Sequence, residues 1–212
     1  MKKSLFFLIF LLSLQGASAQ RMRDVFASMP DSVLEVMTKN NRLDCIDFIE
    51  NNMEARVRNR FDGFSELKTL TEDYLNLNLT SSCLVEMKLL PVADSISYIC
   101  VVKTYSGPVR ESTVAVYTDK WKLLPREKWI KWPEYNDFWQ ANDSITDVDI
   151  RSMQREQAMH FVSACLSADQ TRLTLEVQLD KTDEEKDKKM KSVLHPLVYE
   201  WKRESKSFIP EF

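Results

Sequence analysis

The chain has two histidines, His160 and His195, in 212 residues. Chemistry that relies on an imidazole base must use one of them. Neither has the context of a serine hydrolase. No G-x-S-x-G elbow surrounds any serine, and three glycines in the whole chain are too few to build one. His160 heads an apolar stretch and His195 directly precedes Pro196, so both read as surface or hairpin-end residues. A cysteine nucleophile paired with either histidine has no local support. The second candidate chemistry is carboxylate-based. Asp44 and Asp47 stand one helical turn apart, with Glu72 and Asp73 further on. Two such acids across a cleft could hydrolyse a glycan. The alternative is that they serve a helix dipole and the neighbouring Arg42.

Composition narrows the field. The formal charge is −3, with 29 Lys and Arg against 32 Asp and Glu. No basic footprint for nucleic acid is present. Two histidines, the absence of a CxxC pair and the absence of a D-x-D-x-D-G loop argue against a metal centre. The scarcity of glycine argues against a phosphate-cradling loop. No cofactor is expected. Cys45, Cys83, Cys100 and Cys165 are widely spaced among apolar neighbours. They can pair in three ways or remain free, and their surroundings favour free core thiols.

The feature with most binding potential is aromatic. Trp121, Trp129, Trp132, Tyr135, Phe138 and Trp139 fall within nineteen residues. Trp and Tyr dominate binding hot spots and stack on sugars, but they also dominate cores. Trp129, Trp132, Tyr135 and Trp139 are the candidate binding residues. The rings either form a contact surface or seal a junction between two halves. Arg56, Arg58 and Arg60 alternate along one strand face and suit either an anionic partner or acids on adjacent strands.

These residues must be held by elements that follow a leader. Lys2 and Lys3 precede the apolar run Leu5–Leu14, and Ala17-Ser18-Ala19 supplies small residues for cleavage. The run is about half the ~20 residues of a membrane span, so residues 1–19 read as a signal peptide with cleavage before Gln20. Without Lys2 and Lys3 the charge of −3 becomes −5. No later run is long enough to span a bilayer. An exported protein of the periplasm or cell envelope is expected.

Residues 24–53 read as two helices. Pro30 falls in a first helical turn, and Asn40-Asn41 caps the second helix, which buries Leu43, Ile46, Ile49 and Met53. The period then changes to two. Strands are expected from Ala55 to Phe61, Tyr74 to Thr80, Cys83 to Leu90, Ile96 to Tyr105, and Thr113 to Thr118, with Trp121–Leu124 as a continuation. Residues 143–155 could be helix or loop. A hairpin spans His160–Leu166 and Arg172–Leu179. A charged tract at 180–191 follows with helical salt-bridge spacing. Short strands at Leu197–Trp201 and Ser207–Ile209 end the chain.

Ala93–Val102 aligns with Ala168–Val177, and Leu123-Leu124-Pro125 with Phe208-Ile209-Pro210. This pattern fits a tandem duplication, but two alternating strands can also look alike without one. Met29-Pro30-Asp31, Lys39–Asp44 with Ile46-Asp47-Phe48, and Leu70–Leu75 resemble an uncharacterised family of small secreted proteins from Bacteroides-type bacteria, a domain of unknown function. That resemblance implies an envelope location and assigns no residue a role. The order of elements also resembles the beta-lactamase-inhibitor-protein fold, whose tandem helix-plus-sheet units form a concave binding surface.

The expected architecture is α+β, with an N-terminal helix pair packed on mostly antiparallel sheet. Residues 20–130 form a first helix-plus-sheet half and 131–212 a second. The expected function is non-enzymatic recognition of a protein or cell-envelope component. The alternative is a hydrolase of envelope polymers using paired carboxylates.

Overall fold

The computed structural model describes residues 21–157, 160–179 and 184–211. The signal segment and its cleavage site lie outside the described residues, as does part of the charged tract. Among the described residues no helix is long and apolar enough to cross a membrane.

Among the described residues, ten strands form two antiparallel meanders. The first is a six-stranded sheet in sequence order: β1 (Arg56–Arg58), β2 (Phe64–Leu70), β3 (Tyr74–Thr80), β4 (Cys83–Ala93), β5 (Ile96–Ser106) and β6 (Arg110–Tyr117). The second has four strands: β7 (Phe161–Leu166), β8 (Arg172–Gln178), β9 (Leu197–Lys202) and β10 (Ser207–Pro210). Helices α1 (Met22–Ser28) and α2 (Lys39–Glu50) precede the first sheet. Helix α3 (Asp147–Glu156) precedes the second sheet, and α4 (Glu184–Lys191) falls between β8 and β9.

Alternation along β4 explains the layering. Cys83, Val85, Met87 and Leu89 point to a core shared with Met22, Phe26, Met37 and Ile46 of the helical layer. Leu90, with Cys100, Val102 and Val116 of the neighbouring strands, points the other way. These meet Leu166, Leu173, Leu175, Tyr199 and Trp201 of the second sheet. The six-stranded sheet is therefore the middle of three layers, and its central strands are covered on both faces. A smaller cluster of Ile145, Ile150, Met153, Met190 and Val193 joins α3 to α4.

The helical layer differs from the sequence expectation in detail. The first helix ends before Pro30 rather than starting there, and Val33, Leu34 and Met37 are buried from a run of turns. The cap of α2 is Thr38. Its hydroxyl accepts from the Asn41 N–H at 3.1 Å, while Asn41 Oδ1 accepts from the Thr38 N–H at 3.0 Å. The buried stripe of α2 is Arg42, Cys45 and Ile46, whereas Leu43 and Met53 are exposed. Arg42 takes a core position because the coil before α2 offers it acceptors. Its guanidinium donates to the carbonyls of Phe26, Met29 and Met37 and to Asp31 Oδ1. These bonds satisfy a buried charge and fix the turns at 29–37.

Strand β1 covers only three residues. Asn59 then caps a turn, its Oδ1 accepting from the Phe61 and Gly63 N–H groups, and Phe61 is exposed. Asp62 adopts a positive φ of 60° in this turn, a conformation Asp tolerates better than most residues. Strand β2 lacks a clear sequence signal, because Phe64–Leu70 mixes polar and apolar residues and carries a register shift between Leu67 and Thr69.

The two aligned segments fall on β5, the fifth strand of the first sheet, and β8, the second strand of the second sheet. β5 and β8 are each the second strand of a hairpin and are each followed by an antiparallel third strand. Leu123 bridges Tyr117 as Phe208 pairs with Trp201. The connections differ in length, since β5–β6 is a tight turn and β8–β9 contains α4.

Candidate functional site

The aromatic connector leaves β6 and runs along the second sheet through two 3-10 turns, Arg126–Lys128 and Tyr135–Phe138. Trp129 is 1% exposed and belongs to the core. Its indole N–H donates to the Leu124 carbonyl at 3.4 Å, and its own carbonyl accepts from the Phe208 N–H at 2.7 Å. The ring packs edge-on to Phe208, which in turn packs edge-on to Trp201. Ile130 forms a parallel bridge with Phe208. The connector thus covers part of the outer edge of β10, and Pro210 supplies no N–H at its end. Both features limit further strand addition.

Beyond this anchor the connector stands away from the sheet and leaves a groove of about 710 Å³. Ile130, Trp132, Tyr199, Phe208 and Ile209 give it an apolar and aromatic lining. Polar groups sit among these, including Lys131, Asp137, Ser205 and Ser207. Trp132 is half-buried, with the Arg126 guanidinium 4.9 Å from its ring centroid. Burial pushes the Tyr199 phenol above its ordinary range, and the Asp137 charge adds to this. The hydroxyl therefore stays protonated at neutral pH. Aromatic surface with a few fixed polar groups is the usual build of a ligand site.

The other predicted residues separate from this groove. Tyr135 stacks on His160, with centroids 3.7 Å apart and planes at 7°, and meets Trp139 edge-on. Tyr135 Oη and Trp139 Nε1 are buried without a hydrogen-bond partner among the described residues. Trp139 bridges Leu194, and Trp121 packs on Tyr117. The four candidate residues therefore divide: Trp129 in the core, Trp132 in the groove, Tyr135 and Trp139 in a separate aromatic group.

The hydrolytic candidates are dispersed. Asp44 lies mid-helix and exposed, and Asp47 accepts from the Asn51 side chain at 3.2 Å. Arg42 pairs with Asp31, not with either of them. Asp73 pairs with Lys88 at 2.9 Å. None of the four acids lines the groove. The His195 N–H donates to the Phe138 carbonyl, and its side chain is exposed. The arginine row is exposed and partly neutralised. Arg58 pairs with Asp62, Arg60 with Asp31, and Arg56 lies over the Phe64 ring. All four cysteines are free, with Cys45, Cys83 and Cys100 buried and Cys165 exposed. Among the described residues, no group of three or more His, Cys, Asp or Glu is placed to hold a metal ion.

The family described as "Protein of unknown function (DUF3256)" matches residues 14–206. The chain belongs to the DUF3256 family. Its fold is also similar to a solved structure described as a domain of an uncharacterized protein from Porphyromonas gingivalis W83. The TM-score is 0.72 at 24% identity, covering 91% of this chain and 98% of that one. At that identity the likeness is one of fold. No curated protein matches the sequence.

This DUF3256 chain also holds a polar seam that sequence reasoning missed. Glu86 and Lys88 lie on the face of β4 that meets the second sheet, and both are buried. Tyr74 Oη donates to Glu86 Oε1 at 2.7 Å, and Glu86 Oε2 accepts from the Leu166 N–H at 3.4 Å. The Ala164 N–H donates to Ser112 Oγ at 2.9 Å. Strand β7 is an edge of its sheet, and side chains of the other sheet satisfy its outward amides. The local pattern Leu84-Val85-Glu86-Met87-Lys88 reads as a solvated face. Only the covering sheet, supplied about eighty residues later, makes it interior.

Proposed function

We propose that the protein is an exported, non-catalytic binding protein of the cell envelope. Its ligand, another protein or an envelope component, docks in the groove between the aromatic connector and the β9–β10 hairpin. The observation that carries this reading is the groove itself: about 710 Å³, apolar at Ile130, Trp132 and Phe208, with polar groups interspersed. Trp132 supplies a large, stiff contact surface at low entropic cost. Trp129 supports it from below, since the Trp129–Phe208 contact fixes the course of the connector. The groove's serines bond to each other and to a backbone carbonyl rather than to an imidazole. This favours binding over acyl transfer.

Export rests on the Lys2/Lys3, Leu5–Leu14 and Ala17-Ser18-Ala19 pattern. Mass spectrometry of the protein recovered from the envelope fraction is expected to give Gln20 as the first residue. Retention of the apolar segment would place the protein in the membrane instead. The binding reading is tested by affinity capture from native envelope extract, comparing wild type with Trp132→Ala. Specific capture that is lost in the variant, at unchanged melting temperature, is expected. Equal capture by both forms would move the site elsewhere.

A further inference from the structure

A second recess of about 330 Å³ lies between the connector and α3, lined by residues that do not line the groove. Arg151 and Arg155 face it from successive turns of α3, and His160 faces it from the start of the second sheet. The His160 ring is held flat against Tyr135 at 3.7 Å. The opposite wall is fixed by a hydrogen bond from Gln154 to Asn136 at 3.1 Å.

The two arginines have no ion-pair or hydrogen-bond partner among the described residues. Most others in this acidic chain do: Arg23 with Glu50, Arg42 and Arg60 with Asp31, Arg58 with Asp62, Arg172 with Glu211, Arg203 with Asp94. Like charges four residues apart on a helix repel each other. The helix dipole accounts for Arg155, in the last turn, but not for Arg151 in the middle. The acids of α3 do not relieve the repulsion. Asp149 is engaged by Thr146 and Glu156 by Lys186, and Asp147, one turn before Arg151, forms no ion pair with it among the described residues. Glu134 lines the recess beyond ion-pair range of either arginine.

We propose that this recess binds a tetrahedral oxyanion, a phosphoryl or sulfate group. Arg151, Arg155 and His160 all line it, which brings two guanidinium groups and an imidazole to one recess. Forks match such an anion bidentately, and the bound anion would relieve the Arg151–Arg155 repulsion. Stacking on Tyr135 holds the His160 ring in place before the anion arrives. The anion is either a free ion or the phosphoryl end of a larger envelope molecule, which present the same chemistry to the recess.

Isothermal titration of the full mature protein with inorganic phosphate and with glucose 1-phosphate tests this. Saturable binding of at least one is expected, weakened about tenfold or more by Arg151→Gln and by Arg155→Gln, with thermal melting unchanged. Tighter binding of the ester than of the free ion would identify an esterified group as the natural ligand, and the reverse order the free ion. Glu134→Gln is expected to strengthen binding, because it removes a like charge from the rim. Absence of binding by both probes, or binding unaffected by the double arginine variant, would overturn the proposal. Weakening by Glu134→Gln would overturn it as well.

Discussion

The Lys88 ammonium donates to the Ala168 carbonyl at 2.6 Å, tying the central strand of one sheet to the hairpin of the other. Lys88 also pairs with Asp73 and is fully buried. A buried cation with one half-exposed carboxylate and one carbonyl as partners is a strong geometric constraint and a modest net stabiliser. Replacing it by Met keeps the volume but leaves the Ala168 carbonyl unsatisfied. Lys88→Met is expected to lower unfolding free energy by about 1–3 kcal/mol, read as a shift of the urea midpoint. An unchanged midpoint would mean that the contact adds nothing beyond packing.

Glu86 makes stability depend on pH. Burial is the main cause that pushes its carboxyl above the ordinary range, against the lowering effect of the Tyr74 and Leu166 hydrogen bonds. The folded state therefore holds this proton more tightly than the unfolded chain. The group's stabilising contribution is complete below the ordinary glutamate pKa and is lost as pH rises through the folded value. Glu86→Gln keeps an acceptor for the Leu166 N–H and removes the buried charge. The variant is expected to lose this part of the pH dependence and to be no less stable than wild type at neutral pH. Thermal melts from pH 4 upward check this, and a variant destabilised at every pH would contradict it.

The thiols should separate by burial. Burial pushes Cys45 up to about 11 and raises Cys83 and Cys100 as well, so little thiolate is present to react. Cys165 is also raised, by partial burial and by Glu86 and Glu176, but it alone is exposed. A thiol reagent on the folded protein is expected to modify Cys165 first. Four thiols should be counted after denaturation without reductant. A count below four would mean a disulfide, and equal rates at Cys45 and Cys165 would mean that the helical layer opens readily.

Strands β3 to β10 are legible as segments, because they carry apolar alternation bounded by turn residues. Residues 74–80 match β3 end to end. The helical layer was less legible. Pro30 reads equally well as a helix start or a helix stop, and Arg42 looks like a surface residue until the carbonyls of Phe26, Met29 and Met37 gather round it. The candidate site was half legible. Trp132 was found as an aromatic among aromatics. Tyr199 and Phe208, which complete the groove, lie about seventy residues further on and look like ordinary strand residues. Residue type does not distinguish Trp129, which is buried, from Trp132, which is half-buried.

The proposed contact with a ligand in the envelope is the groove beside Trp132. A photo-crosslinking side chain placed at Ile209, on the lining and 41% exposed, compares directly with one at Val148 on α3, 67% exposed and away from it. Irradiation of intact cells is expected to give a discrete crosslinked species from position 209, absent from position 148 and abolished by Trp132→Ala in a protein that melts normally. No crosslink from 209, or the same species from both positions, would mean that the groove is not the contact surface.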